Sequence, residues 1–470
     1  MLKIKQKIKS QFKFISDLSQ SRWQIASHIS LLAWYIALFP GRLGSDPIQA
    51  ITKMRAGEST DWWSSLYFWF LKLTTLNAQS IWLATLLSAA TLYLAFVYFI
   101  NSLPAKKEIL HKTQFVVCIF PLFGNFAVNI NHDTFFTAGV FIISGMSLRK
   151  YLRIKAPIGI TAPYAALFCL LNSKTGFFVI ALFLLTVIVF DRTLVTFLKY
   201  LSFTLAVFTI TSLGITKSSV PMELFPAIAD IKCVTQHPEA RINDKEWEYL
   251  STIADLGLWK KSLSCASMDD AVNVVRSPKL EEIEHLTFLK TYLNIATRNP
   301  AIVIQAHFQR GSQALPPPFF QGPQNQVDRD IRNPVGLNTN IALQLGPEVL
   351  HPSIDDPGLK LDHNYLKIPE SFALFFTFLI NQASWFWGWG GLWLWPILLF
   401  HIVTLRVRST RLIWLLNYPL ILNHLIHVAI GPIPVPRYVM STILIGFIYT
   451  VLTIFIWLDK SKREEVRDLE

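Results

Sequence analysis

Residues 80–100, SIWLATLLSAATLYLAFVYFI, form a run of 21 residues without a single charged side chain. A helix of about 20 apolar residues matches the thickness of a bilayer's hydrocarbon core. This stretch therefore predicts a membrane-spanning helix. The whole chain agrees, since only 16% of its 470 residues are charged and 52% are hydrophobic, whereas soluble domains carry about 25% charged residues.

Further apolar runs of similar character extend along the chain and predict an all-α polytopic membrane protein of about ten transmembrane helices. Two pairs of runs are interrupted by polar triplets, Asn131-His132-Asp133 and Asn172-Ser173-Lys174, where we expect the chain to turn. The ten predicted spans are 23–39, 80–100, 114–130, 134–148, 156–172, 176–190, 197–215, 385–405, 412–430 and 438–458.

The distribution of charge predicts the orientation of these spans. If the N-terminus is cytoplasmic, the loops on that side carry 22 Lys and Arg against eight acidic residues, and the opposite short loops carry six against four. Short cytoplasmic loops are enriched in Lys and Arg. We therefore expect an integral membrane protein with both termini cytoplasmic. We also expect the membrane to be a bacterial plasma membrane. The net charge of +12 is then a signal of topology, and we expect no nucleic-acid partner.

The long loop 216–370, here called the cap, is expected outside the cytoplasm. It separates an N-terminal membrane domain (1–215, about seven spans) from a C-terminal membrane domain (371–470, about three spans). Helical periodicity in 244–258, 281–297 and 301–312 predicts a mostly helical cap. Cys233 and Cys265 both lie in it. A disulfide between them stays open, because sequence does not supply the geometry.

Several charged residues that are far apart in sequence fall at the predicted outer membrane surface: Asp46, Asp61, Asp133, Lys174 and Arg437. Together they could form a site for a charged, membrane-tethered substrate. The alternative is that turns are polar because they contact water. The aromatic stretch 61–70 predicts either a helix lying in the interface or an extension of the second span.

Short motifs in these loops resemble those of the GT-C class of polytopic glycosyltransferases, which use polyprenyl-phosphate sugars. PGRLGSDPIQAI (40–51) with Asp61 resembles their first outer loop, and NHDTFF (131–136) their second acidic motif. NSKTG (172–176) is similar to a later motif with a basic residue, and Pro436-Arg437-Tyr438 to a terminal Arg-Tyr pair. Parts of the cap resemble an uncharacterised branch of these proteins.

The resemblance implies transfer of a sugar from a polyprenyl-phosphate donor to a hydroxyl of a saccharide or lipid acceptor, in assembly of cell-surface polysaccharide or glycolipid. It implies Asp46 as the base and Asp133 as a second catalytic carboxylate that orients the acceptor or a divalent metal. The implied substrate-binding residues are Asp61, Lys174, Arg310, Arg437 and Tyr438. Two other functions stay open: a transporter or flippase for a lipid-linked saccharide, and a non-catalytic polyprenyl-lipid-binding protein.

Overall fold

The computed structural model describes most of the chain as helices. The described residues are 22–39, 41–43, 45–59, 64–76, 80–154, 161–191, 193–215, 222–263, 265, 268–275, 282–311, 314–315, 375, 378–379, 390–431 and 436–467. Within them the helical character that the sequence predicts is confirmed.

The N-terminal part contains ten helices and two short strands among its described residues. They are α1 (Arg22–Ala37), β1 (Arg42–Leu43), α2 (Ser45–Arg55), α3 (Ser65–Thr74), α4 (Trp82–Ile100), α5 (Lys107–Ile119), α6 (Pro121–Val128), β2 (Asn129–Ile130), α7 (His132–Tyr151), α8 (Thr161–Leu170), α9 (Gly176–Thr186, continued by a π-turn Val187–Asp191) and α10 (Leu194–Ser212). The largest apolar core is built mainly from these helices, where α4 packs along α7 and α7 along α8, and it also includes residues of the last three helices of the chain.

Six described helices follow in the cap. They are α11 (Phe225–Thr235), preceded by a 3₁₀ turn Met222–Leu224, then α12 (Asp244–Ile253), α13 (Leu256–Lys260), α14 (Met268–Val274), α15 (His285–Arg298) and α16 (Pro300–Arg310). The three cap helices predicted from periodicity are confirmed, the first of them in two pieces. A capping box between Asn243 and Glu246 fixes the start of α12, and Pro300 occupies the first turn of α16.

The C-terminal part contributes the last helices. They are α17 (Gly390–Leu399, continued by a π-turn Phe400–Thr404), α18 (Thr410–Ile430) and, after a 3₁₀ turn Pro436–Val439, α19 (Met440–Arg467). α17 packs against α19 at Gly446, where an added Cβ would lie 2.7 Å from the Cβ of Trp393. Glycine at 446 is thus what allows this close approach.

The predicted count of ten spans is wrong. Among the described residues, four helices are long and apolar enough to cross a membrane: α4, α10, α18 and Met440–Ser461 of α19. A fifth span results if α5 and α6, which meet at an angle of 69°, are counted as one. The other predicted spans contain shorter helices, except for α7, which has 20 residues but is less apolar. A ten-residue helix such as α8 is about 15 Å long, half of a hydrocarbon core of about 30 Å. The long apolar helices still indicate an integral membrane protein.

The cap helices enclose a second apolar cluster, whose buried residues in the described part of the chain run from Leu224 to Val303 and include the fully buried Trp259 and Phe288. A disulfide joins Cys233 in α11 to Cys265. It closes a loop of 32 residues across this cluster, so that the segment after α13 is held against α11.

Removing the disulfide with Cys233→Ser is expected to lower the free energy of unfolding by about 3–4 kcal/mol, because the open loop regains conformational entropy in the unfolded chain. Thermal unfolding in detergent measures the loss, and Cys169→Ser, at a buried free cysteine, is the matched control. The denatured wild-type protein should expose two reactive thiols. Four reactive thiols without reductant would contradict the pairing.

Candidate functional site

The first loop is held against the turn that carries Asp133. β1 and β2 pair in parallel, with Arg42 opposite Asn129 and Leu43 opposite Ile130. Because parallel partners continue in the same direction, the chain after β1 leads to Asp46 at the start of α2, and the chain after β2 leads to Asp133 at the start of α7. The backbones of the two predicted acidic motifs therefore begin side by side. The side chain of Asp46 lies outside the described part.

Gly41 makes this pairing possible. Its φ is +133°, a conformation that side-chain-bearing residues rarely adopt, and an added Cβ would lie 2.0 Å from Oγ1 of Thr85 in α4. The glycine of the Pro-Gly-Arg turn is thus required both by the backbone and by the space beside α4.

Asp133 is buried, with 4% of its surface exposed. Asn131 caps α7, its side chain accepting a hydrogen bond from the Asp133 backbone N–H at 3.2 Å. Nε2 of His132 lies 3.4 Å from Oδ1 of Asp133. Contact with water at an exposed turn therefore does not explain why residue 133 is charged, because a buried ionisable group needs specific partners.

Unpaired buried amides surround this carboxylate's turn. Within the described part of the chain, both side-chain polar atoms of Asn129, Nδ2 of Asn131 and Nδ1 of His132 are buried without a hydrogen-bond partner. Buried polar atoms are almost always hydrogen-bonded in native proteins. Such a concentration at one turn indicates a place that a polar ligand or ordered water fills.

Aromatic side chains of α3 cover the same turn. The Tyr67 hydroxyl donates to the Ile130 carbonyl at 3.4 Å, and its ring meets His132 edge-on at 5.6 Å between centroids. Phe70 and Phe135 meet in the same way at 4.7 Å. The described part of the aromatic stretch thus belongs to a helix separate from the second span and does not extend that span. Its position in the membrane interface stays a prediction. Asp61 lies outside the described residues.

Lys174 lies in the turn between α8 and α9 and is exposed. The Ser64 hydroxyl, just before α3, donates to the Leu171 carbonyl in that turn, so the first loop contacts it too. Lys174 acts electrostatically on Glu223, whose pKa is lowered mainly by a backbone hydrogen bond. Exposure to water and phosphate binding explain equally well why a charged residue occurs at position 174.

Arg310 lies in a buried network of the cap. Its guanidinium pairs with Asp230 of α11, whose carboxylate also accepts hydrogen bonds from the Tyr292 hydroxyl at 2.9 Å and contacts Nε2 of His307 at 3.1 Å. Burial alone would raise the pKa of Asp230, but the hydrogen bond from His307 and the charge of Arg310 outweigh it and lower that pKa. The ion pair explains why an arginine is buried here, and phosphate binding by Arg310 stays a prediction.

The end of α16 packs against α18. An added Cβ on Gly311 would lie 2.5 Å from the Val428 Cα. Nδ1 of His424 lies 2.6 Å from the Ala314 carbonyl, and its Nε2 lies 2.8 Å from the Thr442 hydroxyl. His424 thus serves packing and hydrogen bonding. The ring of Tyr438 lies 4.5 Å from that of His427 in the same helix, α18. The side chain of Arg437 lies outside the described part.

The predicted site residues thus fall into two groups. The segments of Asp46, Asp133 and Lys174 meet around the first loop, whereas Arg310 and Tyr438 lie near the end of α18. The sequence motifs do not mark Asn125 and Asn129, although their recurrence with Asn131 in an apolar run is a usable signal. Sequence reasoning also missed Asp230 and His307, which no motif marks.

No cluster of three or more His, Cys, Asp or Glu side chains suited to a metal ion occurs among the described residues. Comparison of the chain with known protein families, with characterised proteins and with solved structures finds no match. The geometry of the first-loop group and the sequence motifs are therefore what support a function.

Proposed function

We propose that this protein is a membrane glycosyltransferase that moves a sugar from a polyprenyl-phosphate carrier to a hydroxyl acceptor. One observation carries the proposal: a buried carboxylate, Asp133, lies in a turn with unpaired amides, and β1–β2 pairing places the Asp46 segment beside it. Amides and aromatic rings around a carboxylate suit a sugar, which offers hydroxyl groups to polar atoms and C–H faces to rings.

In the proposed reaction, an acceptor hydroxyl oxygen attacks the anomeric carbon and the bond from that carbon to the phosphate oxygen breaks. Asp46 accepts the hydroxyl proton as general base, and polyprenyl phosphate leaves. Asp133 orients the acceptor. Lys174 binds the departing phosphate, because cations stabilise the charge that develops there. A contact of Arg437 and Tyr438, which lie in the other group near the end of α18, with the same phosphate stays a prediction.

The proposed location of the reaction is the outer face of a bacterial plasma membrane, in assembly of cell-surface polysaccharide or glycolipid. Disulfides persist in oxidising compartments, and the bond between Cys233 and Cys265 supports a cap outside the cytoplasm. The excess of Lys and Arg in the remaining loops supports cytoplasmic termini.

Asp133→Asn is expected to reduce kcat/KM for transfer about 10- to 100-fold, because an orienting carboxylate contributes less than the base itself. The measurement is release of polyprenyl phosphate from carriers bearing a labelled hexose or pentose, with the purified protein in detergent. Asp244→Asn, at an exposed acid of α12, is the matched control. Equal rates for both variants would contradict a role for Asp133.

A broken helix favours the second candidate, a transporter or flippase for a lipid-linked saccharide. α5 and α6 meet at 69°, and the buried polar turn follows directly, as in transporters whose interrupted helices bind substrate. Proteoliposomes distinguish the candidates: a flippase moves the labelled donor intact, whereas the transferase cleaves it. Donor binding without either event would identify a non-catalytic lipid-binding protein.

A further inference from the structure

A pocket of about 520 Å³ lies at the opposite end of α18 from Tyr438. Ile402, Arg406, Val407, Arg408 and Ile413 line it. It thus combines two guanidinium groups with apolar walls, and none of its residues belongs to the proposed sugar-transfer site.

The loop that forms the pocket is held in place from several helices. The Val407 backbone N–H donates to the His401 carbonyl at 3.0 Å, and His401 is itself bonded to Asn417 of α18 at 2.9 Å. The Tyr151 hydroxyl at the end of α7 donates to the Leu405 carbonyl at 3.2 Å. These contacts also hold Arg406 at a φ of +52°, which costs energy for a residue with a side chain. The pocket is therefore a preformed feature.

The charges of the pocket are available to a ligand. Arg406 and Arg408 are exposed, and neither forms an ion pair within the part of the chain that the structure describes. Val407 between them is buried, with 3% of its surface exposed. Two arginines at one pocket, neither in an ion pair with a described residue, suit a phosphate, which guanidinium groups can bind through paired N–H groups.

The pocket lies where a membrane surface is expected. α18 is a candidate span that begins at Thr410, directly after the two arginines. Ile402, which lines the pocket, and the next residue, Val403, are 50% and 68% exposed, as expected of side chains that face lipid. A ligand in this position meets cations at its polar end and hydrocarbon at the other.

We propose that this pocket binds the phosphodiester headgroup of an anionic phospholipid, with one acyl chain along Ile402 and Ile413. Basic pockets beside membrane helices are suited to such headgroups. The lipid would hold the π-turn of α17 and the start of α18 together at the bilayer surface.

The test is the lipid retained by the purified full-length protein, measured by native mass spectrometry after exchange into equal amounts of phosphatidylglycerol and phosphatidylcholine. We expect phosphatidylglycerol to be retained in preference. Arg408→Gln should reduce that preference about fivefold and Arg406→Gln/Arg408→Gln about 25-fold, at about fivefold per arginine. Lys107→Gln, an exposed cation outside the pocket, is the matched control and should leave it unchanged.

Competition with inorganic phosphate shows whether the pocket binds a lipid headgroup or free phosphate. Inorganic phosphate at millimolar concentration should not displace phosphatidylglycerol, because it lacks the acyl chain. Equal retention of the two lipids by the wild-type protein would overturn the proposal, as would an unchanged preference in Arg408→Gln. If the double variant fails to fold, Arg408→Gln alone still tests the proposal, because Arg408 does not have the positive φ of Arg406.

Discussion

Asp46→Asn should abolish sugar transfer, with a fall in kcat of at least about 100-fold, while the protein still accumulates in the membrane. A positioned base contributes about 10²- to 10⁴-fold to such reactions, and asparagine cannot accept the acceptor's proton. The asparagine amide has nearly the same size as the aspartate carboxylate. Helix α2 (Ser45–Arg55) also contributes Ile48 and Ile51 to a buried apolar cluster. Folding should therefore survive the change.

Labelled donor turnover by the purified variant measures this effect, and donor binding to the same sample separates loss of chemistry from loss of binding. Lys53→Gln, an exposed cation on the same helix that pairs with Glu58, is the matched control. Near-normal transfer by Asp46→Asn would remove Asp46 as the base, whatever the behaviour of Asp133→Asn.

Asp230→Asn should lower the free energy of unfolding of the cap by about 3–5 kcal/mol. Breaking a buried ion pair from one side leaves the other charge buried without compensation, and Arg310 has 2% of its surface exposed. Tyr292→Phe removes one neutral donor from the same carboxylate and should cost about 1 kcal/mol. Denaturant unfolding followed by hydrogen exchange at the cap helices compares the two variants.

The lowered pKa of Asp230 also predicts how the free energy of unfolding changes with pH. The pKa of Asp230 is lowered in the folded state, so the unfolded chain binds the proton more tightly. Stability from this carboxylate is complete above the ordinary carboxyl pKa and is lost as pH falls through the lowered folded value. The wild-type protein should therefore lose stability in acid more steeply than Asp230→Asn. Equal losses in Asp230→Asn and Tyr292→Phe would contradict the buried pair.

The helical class and the polar turns could be predicted from the sequence because both depend on local pattern. Apolar runs ended at Asn131-His132-Asp133 and Asn172-Ser173-Lys174, and α7 and α9 begin at or just after those triplets. The number of spans could not be predicted this way. Hydropathy does not register the bend at Phe120–Pro121, where the chain turns by 69° within an apolar run.

The candidate site could be predicted only in part, because its residues meet through tertiary contacts. The pairing of Leu43 with Ile130 and the hydrogen bond from Ser64 to Leu171 join loops that are far apart in sequence. Topology predicted that such loops share one surface, but not that Asp133 is buried there. The partner of Arg310 was beyond prediction, since Asp230 lies 80 residues away in the sequence and no motif links the two.

The most direct test of the proposed transferase is the fate of a labelled polyprenyl-phosphate sugar in proteoliposomes that contain the purified protein and candidate saccharide acceptors. We expect the label to leave the lipid and appear on the acceptor, with one polyprenyl phosphate released for each sugar transferred, and we expect Asp46→Asn to prevent both. Label that crosses the bilayer while still attached to its lipid, with no polyprenyl phosphate released, would contradict the transferase.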